Sequence, residues 1–530
     1  MGTEDAKKTS RLKLAIDIGH ENVVVAVYNQ SAKRAECIAT RDGGYQFSSS
    51  VYFESNEHCI VGDVAKSQSS IEPEKVARHY KRELGTTKTI QIAADGQTPK
   101  LYTPEQLTAL TIKEAMVNVE REYGKEAVKN AEIIVMVPAA FGTTRREAVC
   151  RAAEIAGLPR IERLFDEPMG GLTSYIESLK GETKAENVDE TVLLVDVGSS
   201  TSDYFAAECK GNRIRPILKD GDLNLGGEDF TNTLTEHCKK KLNWPSEAEQ
   251  QKLDQAQKRR LKQEETMLAA AVETSKKRLS RQERDQAVIT LNGKPVLMEN
   301  TREELDACTL HLRNRQERNL KKVKENLGNT RIDVVVLTGG GSCMVQTKET
   351  VKKIFPEAVV KEHDHLYAVA KGGALYANAP DQFKMIGKSY GLRVKTQSGK
   401  YKLNNIIAAT DSCPVEKTKV YETEADCQES VRLKVYESSS VKTYMDEIDG
   451  RFDAEFLGDC RLLLPPDLKK GSSIEVKFRL DKNGVLKVHG QEPASGRSIH
   501  AAFRSEKEIS YRPAEEQKEE IKTYLKSLEE

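Results

Sequence analysis

The chain has 530 residues, 38% apolar and 31% charged, with 82 basic side chains balanced by 82 acidic ones. That length holds roughly two to four domains and a sizeable core, and zero net charge argues against a dedicated nucleic-acid or membrane-surface protein. Ten cysteines are scattered without a C-x-x-C pair and no histidine stands at metal-ligand spacing, so they read as reduced thiols rather than as disulfides or a zinc site. The N-terminus lacks an apolar signal core and no run approaches about 18 apolar residues, so a cytoplasmic protein without membrane or nucleic-acid partners is expected.

Residues 1–10 are a polar tail. Leu12–Tyr28 reads as a strand, an Asp (Asp17), a Gly (Gly19) and a return strand. Further strands follow over Ala39–Phe53. Lys75–Leu84 reads as a short helix ending at Gly85, with Lys81 and Arg82 near its end, where cations complement the helix dipole. Thr103-Pro104-Glu105 is an N-cap, an N1 proline and an acidic first turn, so a helix is expected over Thr103–Tyr123. Ala131–Val137 is a buried strand stopped by Pro138, and Thr143–Ala156 is a helix closed by Gly157. Leu164–Gly171 places Asp166 and Glu167 at a strand end, on the same side as Asp17.

Thr191–Asp203, TVLLVDVGSSTSD, repeats the first hairpin: buried strand, Asp196, Gly198-Ser199-Ser200, then a strand opened by Thr201 and Asp203. A carboxylate at a strand end beside small residues suits a polyphosphate with its metal. Two such hairpins imply two similar half-domains facing a cleft, and ligand sites in open α/β sheets sit at such strand ends. Gly221–Phe230 offers a Gly226-Gly227-Glu228 turn before a helix. Gln250–Ser280 reads as a charged helix pair with Glu273, Lys276, Lys277 and Ser280 about one turn apart, and Thr301–Asn326 as another helix. In Arg331–Met344 a strand leads through Gly339, Gly340 and Ser342 to a helix N-terminus, where an anion is favoured. A small-residue helix over His365–Ala379 closes the region at Pro380.

From Lys388 the pattern changes to strands and turns, a β-sandwich of about 110 residues. Asp481–Gly484 is a hairpin turn because Asn-Gly accepts positive φ. Glu506–Glu530 reads as a short, highly charged helical tail.

Together the segments AIDIG, KRELG, VPAAFGTTRRE, DEPMGG, DVGSSTSD, NLGGEDF, ETSKKRLS and LTGGGS, followed by a sandwich, resemble the seventy-kilodalton heat-shock protein family of DnaK-type chaperones, from about residue 11 to about 500. The resemblance implies an actin-like ATPase domain over 11–380, a linker over 381–388, a peptide-binding sandwich over 389–500 and a remnant helical lid over 501–530. It implies ATP or ADP with Mg²⁺ as cofactor, unfolded polypeptides as clients, and a J-domain co-chaperone and a nucleotide exchange factor as partners. Asp17, Asp196 and Asp203 match the acidic groups around the metal and its waters. Lys81, Glu167, Asp196 and Thr201 match the catalytic set. Gly19, His20, Gly198, Ser199 and Ser200 match the phosphate loops, Gly226, Gly227 and Glu228 the cleft turn, Glu273, Lys276, Lys277 and Ser280 the adenosine helix, and Gly339, Gly340 and Ser342 the opposite wall. Leu392, Tyr421, Val431, Leu433 and Ile474 match apolar peptide-groove positions, which strand alternation alone would equally place in the core. Pro138 and Arg146 match the interdomain relay.

The departures are specific. The family's first loop, Gly-Thr-Thr, is Gly19-His20-Glu21 here: a hydroxyl is lost, a negative charge is gained, and His20 reads as a tolerated loop residue. The two arginines that sandwich adenine are Lys277 and Cys343, a loss of roughly 0.5–2 kcal/mol per cation–π contact. An acidic position is the apolar Leu366. The linker keeps only Phe383, Met385 and Ile386 as docking side chains, and about 30 residues follow the sandwich where the family has a long lid, so fast peptide release is expected. The reading is a slow ATPase chaperone. The alternative is a degenerate nucleotide-sensing scaffold with little turnover.

Overall fold

The computed structural model describes residues 11–529 except 94–98, 139–140, 159–160, 183–188, 212, 292, 379–387, 397, 410, 412–413, 439, 441–442, 448–451, 453, 482–484 and 503–511. The linker apart from Lys388, and the Asn483-Gly484 turn, lie outside the described residues.

The N-terminal region is built twice. In the first half, Lys13–Ile18 pairs in parallel with Glu132–Val137 and antiparallel with Asn22–Asn29. The order along the sheet is Ile161–Asp166, Glu132–Val137, Lys13–Ile18, Asn22–Asn29, Arg34–Cys37, with the short strand Phe47–Ser48 also pairing Asn22–Asn29. The second half repeats it with Val359–Glu362, Val334–Thr338, Asp189–Val197, Ser202–Lys210 and Arg213–Asp222. The central strands are runs of Val, Ile and Leu because both faces are covered.

Each half's last parallel strand leads into a helix, Glu167–Glu182 in one and Ala368–Asn378 in the other. These helices cross between the two sheets, and one core joins Ala15, Met136 and Phe165 of the first half to Leu194, Val336 and Ala374 of the second. The crossing depends on glycine: a Cβ on Gly372 would stand 1.7 Å from the Gly170 carbonyl oxygen. A smaller unit of the second half combines Gly227–Lys241, Gln255–Leu279 and the hairpin Arg284–Leu291/Lys294–Thr301.

The capped helix stands as expected. It runs Pro104–Tyr123, with the Thr103 side chain and Gln106 in a reciprocal capping box. Other boundaries differ. Lys75–Leu84 is not one helix but two short 3₁₀ turns, Pro73–Lys75 and Tyr80–Glu83, around a two-residue strand. His79, at φ 62°, interrupts any helical path. Gln250–Ser280 is essentially one long helix, Gln255–Leu279, capped by Asp254, preceded by a short helix, Glu247–Gln251. Thr301–Asn326 is broken at Thr309 into Arg302–Cys308 and Leu310–Leu327.

The C-terminal domain is a sandwich of a five-stranded sheet (Tyr444–Asp446, Tyr401–Ile407, Ser389–Lys395, Ser430–Ser438, Glu455–Leu463) and a four-stranded one (Val415–Glu422, Ser473–Leu480, Leu486–Gln491, Ser498–Ala502). Alternating side chains of Ser473–Leu480 fill the space between them, as period-two patterning requires.

The tail is amphipathic. Its helices Ala514–Glu520 and Lys522–Ser527 bury Ile521, Tyr524, Leu525 and Leu528, spaced three and four residues apart, in the core of the first half-domain. Tyr524 meets Phe53 edge-on at 5.1 Å, and Leu528 accepts a hydrogen bond from Arg41 at 2.6 Å. Net charge concealed this face in the sequence. Among the described residues no helix is long and apolar enough to cross a membrane.

Candidate functional site

Both hairpin turns open onto one cleft of about 1130 Å³ between the halves. Asp17 and Asp196 hold equivalent places near the ends of the two central strands, and Asp203 stands opposite Asp196 in the hairpin register. Glu167, the first residue of its helix, accepts a hydrogen bond from Lys81 Nζ at 2.8 Å. Thr201, Asp196, Asp203, Glu167 and Lys81 are all buried.

The charge balance at the cleft floor is acidic. Burial, reinforced by Glu167 and only partly offset by Lys81, pushes Asp17 up to about 7. Burial, then Glu167, Asp203 and Asp17, holds Asp196 well above the carboxylate range. Burial acts to lower Lys81, but Glu167 and Asp17 outweigh it and the net shift is upward. Four carboxylates, three of them buried and Asp17 half-buried, surround one ammonium, so the floor lacks positive charge, and a hard divalent cation with oxygen ligands supplies what is missing. The residues therefore fit Mg²⁺.

The walls fit a phosphate chain. Gly198, Ser199 and Ser200 form a turn locked to the Gly226-Gly227 turn, with Gly227 N donating to Gly198 O at 2.9 Å and Glu228 N to Ser199 O at 2.7 Å. The Asp229 carboxylate closes this helix start by accepting from Gly226 N. Arg82 ties the first half to it, donating to Ser200 O at 2.7 Å and to Asp229 at 2.8 Å. Opposite, Gly339 has φ 75°, and a Cβ there would lie 2.2 Å from Asp196 Oδ1, so any side chain would displace that carboxylate. Gly340 lines the cleft beside it, and buried Ser342 donates to Gly339 O at 2.7 Å.

On the long helix, Glu273, Lys276, Lys277 and Ser280 all reach the cleft, but in different states. Lys276 is buried, donates to Gly227 O at 2.5 Å and Thr231 Oγ1 at 2.7 Å, and is pulled down to about 8, mainly by burial. Lys277 is exposed and pairs with Glu273 at 2.6 Å.

The first loop departs most from expectation. Gly19 lines the cleft, with its carbonyl accepting from Ser49 Oγ at 2.7 Å. His20 is not a bystander: its ring is buried, 2.7 Å from Glu228 of the other half and 3.0 Å from His79. Glu21 does not face phosphates unopposed. Lys66 at 3.1 Å and Arg78 at 3.3 Å neutralise it, and with His79 they hold it below the usual range against burial. Sequence spacing hid the meeting of His20, His79 and Glu228, because they come from three distant segments.

Asp166 does not share the cleft with Glu167. It points away into a buried cluster, paired with Arg146 and with Lys219 at 2.7 Å. Arg146 also donates to Phe141 O, whose own N–H bonds the Pro138 carbonyl. This cluster lies at the junction with the sandwich: a Cβ on nearby Gly142 would sit 2.9 Å from the Glu437 carboxylate. Of the sandwich positions, Leu392, Leu433 and Ile474 fill the core, while Tyr421 and Val431 are half-buried at its edge. Sequence reading also missed His365, which bonds Ser342 at 3.1 Å and Glu362 at 3.0 Å on the cleft wall.

These features define a class: a duplicated α/β domain with an acidic, glycine-walled cleft between its halves, joined to an all-β sandwich. The profile of the Hsp70 protein family matches residues 13–528. The chain belongs to the Hsp70 family, whose members bind ATP or ADP with Mg²⁺ and have chaperone-type functions.

Proposed function

We propose that the chain is an ATP-dependent chaperone, with an actin-like ATPase domain that binds MgATP in the cleft and a sandwich that takes extended apolar segments of unfolded clients. The observation that carries this reading is the convergence of Lys81, Glu167, Asp17, Asp196 and Thr201 from both halves on one cleft floor, with buried Asp203 directly behind it opposite Asp196. Bound Mg²⁺ would neutralise developing phosphate charge, with Asp17, Asp196 and Asp203 around it, largely through water. Lys81 supplies a fixed cation for the transferring oxygens. Glu167 orients Lys81 through their hydrogen bond, Thr201 contacts the phosphate, and Asp196 positions the attacking water, the main task left to a protein in phosphoryl transfer. Peptide recognition would use backbone pairing at the edge strand Val415–Glu422, which carries Tyr421, with the half-buried Val431 as an apolar contact. J-domain and exchange-factor partners, and a cytoplasmic setting, belong to the same reading.

One observation favours the nucleotide-sensing alternative: the link from His20 to Glu228 joins the halves across the cleft. ATP titration of the purified chain, with turnover measured with and without an unfolded peptide, separates the two. Chaperone action predicts slow, peptide-stimulated hydrolysis, reduced roughly 100-fold or more in Asp196→Asn. ATP binding without turnover supports the alternative, and no binding at millimolar ATP overturns both.

A further inference from the structure

His20, His79 and Glu228 form a closed triangle at the cleft. His20 Nε2 lies 2.7 Å from Glu228 Oε2, His79 Nδ1 lies 2.8 Å from Glu228 Oε1, and the two ring nitrogens are 3.0 Å apart. Protons alone cannot satisfy all three edges. If each ring donates to the carboxylate, two N–H groups confront each other. If one ring donates to the other's lone pair, it gives up its bond to Glu228. A cation at the centre satisfies every edge, because each group then presents a lone pair.

We infer that this triad binds a divalent transition cation of the Zn²⁺ class through His20 Nε2, His79 Nδ1 and a Glu228 oxygen. Two imidazoles and a carboxylate are a borderline-soft donor set that suits Zn²⁺ better than Mg²⁺. At metal–ligand lengths of about 2.0–2.1 Å, tetrahedral donors stand roughly 3.3 Å apart. The present edges reach that by an expansion of a few tenths of an ångström, which the half-buried His79 and Glu228 can make. The fourth position is left to a water from the cleft. His79 holds a left-handed backbone, a strained state for a residue with a Cβ and one that clusters at functional sites.

The surrounding charges oppose one another. Glu21 lies 3.3 Å from His79 Nδ1 and brings Lys66 and Arg78 with it, while Arg82, 3.9 Å from Glu228, is engaged by Asp229. His20 and His79 belong to the first half and Glu228 to the second, so a bound cation staples the halves together.

The test uses chelator-stripped full-length protein without nucleotide, so its outcome is independent of the ATPase reading. Zn²⁺ is titrated against a chromogenic chelator, and Co²⁺ is followed by visible absorption. The expected result is one ion per chain at micromolar affinity or tighter, four-coordinate Co²⁺ bands, and a loss of at least about tenfold in His79→Ala and Glu228→Gln. Cys343→Ser, which removes a thiol that lines the same cleft, leaves Zn²⁺ affinity unchanged. X-ray absorption of the wild-type Zn²⁺ protein, which needs no variant to fold, shows two imidazoles and no sulfur. Absence of stoichiometric binding, a sulfur shell, wild-type affinity in both His79→Ala and Glu228→Gln, or loss of affinity in Cys343→Ser overturns the site.

Discussion

At Glu114, burial pushes the carboxyl up to about 7, with Arg41 at 3.3 Å as the main opposing influence. The folded chain therefore holds this proton more tightly than the unfolded one. The stability this confers is complete below the unfolded value of 4.5 and is lost as pH rises through 7. Glu114→Gln should flatten the fall in melting temperature between those limits and stabilise the protein at pH 8 by up to about 3 kcal/mol, as read by calorimetry. On the cleft wall, the neighbouring Cys343 and Glu362 raise His365 to about 8 against burial, which favours its cationic form at neutral pH. It stands near where the resemblance expects an arginine against adenine. His365→Ala should weaken adenine-nucleotide affinity roughly 2- to 30-fold, and wild-type affinity should fall as pH rises past 8, both measurable by fluorescent-nucleotide titration.

Among the elements, the tail helices carry the clearest consequence. Ile521, Tyr524, Leu525 and Leu528 are buried against the first half-domain, and each large side chain so placed contributes about 1.5–3 kcal/mol. Polar contacts fix the register: Gln106 Nε2 donates to Gln517 O at 3.1 Å, and Lys113 meets Glu529 at 2.5 Å. Ile521→Asp should undock the tail, lower the melting temperature of the N-terminal domain by several degrees, and expose residues 514–529 to limited proteolysis. An unchanged melt with a protected tail would contradict this packing. The element thus acts here as part of the N-terminal core, whatever it does for the sandwich.

For the molecule as a whole, the two domains meet where Gly142, beside the Arg146–Asp166–Lys219 cluster, approaches Glu437 of the sandwich. Lys388, the last residue of the linker, lies 3.8 Å from Glu437. Gly142→Asp places a second carboxylate where a Cβ is already 2.9 Å from Glu437, so steric and like-charge repulsion act together. The variant should separate the domains, raising the radius of gyration in small-angle scattering, while the N-terminal domain retains its melting transition. If hydrolysis is peptide-stimulated in the wild type, the stimulation should be lost in Gly142→Asp.

Local patterns were legible where the chain's own periodicity sets the structure. The duplicated hairpins with Asp17 and Asp196, the Thr103 cap and the alternation of Ser473–Leu480 are all short-range consequences of side-chain order, and the motif order carried the family. Lys81 could be aligned with the family's lysine by motif alone, although its expected helix is a 3₁₀ turn, because His79 takes a backbone conformation that propensity does not favour. Other features required the folded chain. Asp166 and Glu167 are neighbours that face opposite ways, since a strand hands over to a helix between them. The tail's apolar face found its partner some four hundred residues upstream. His20, His79 and Glu228 share one point although separated by 59 and 149 positions, because sequence encodes nearby contacts through periodicity, whereas charge and donor geometry between distant segments exist only after the two half-domains have packed.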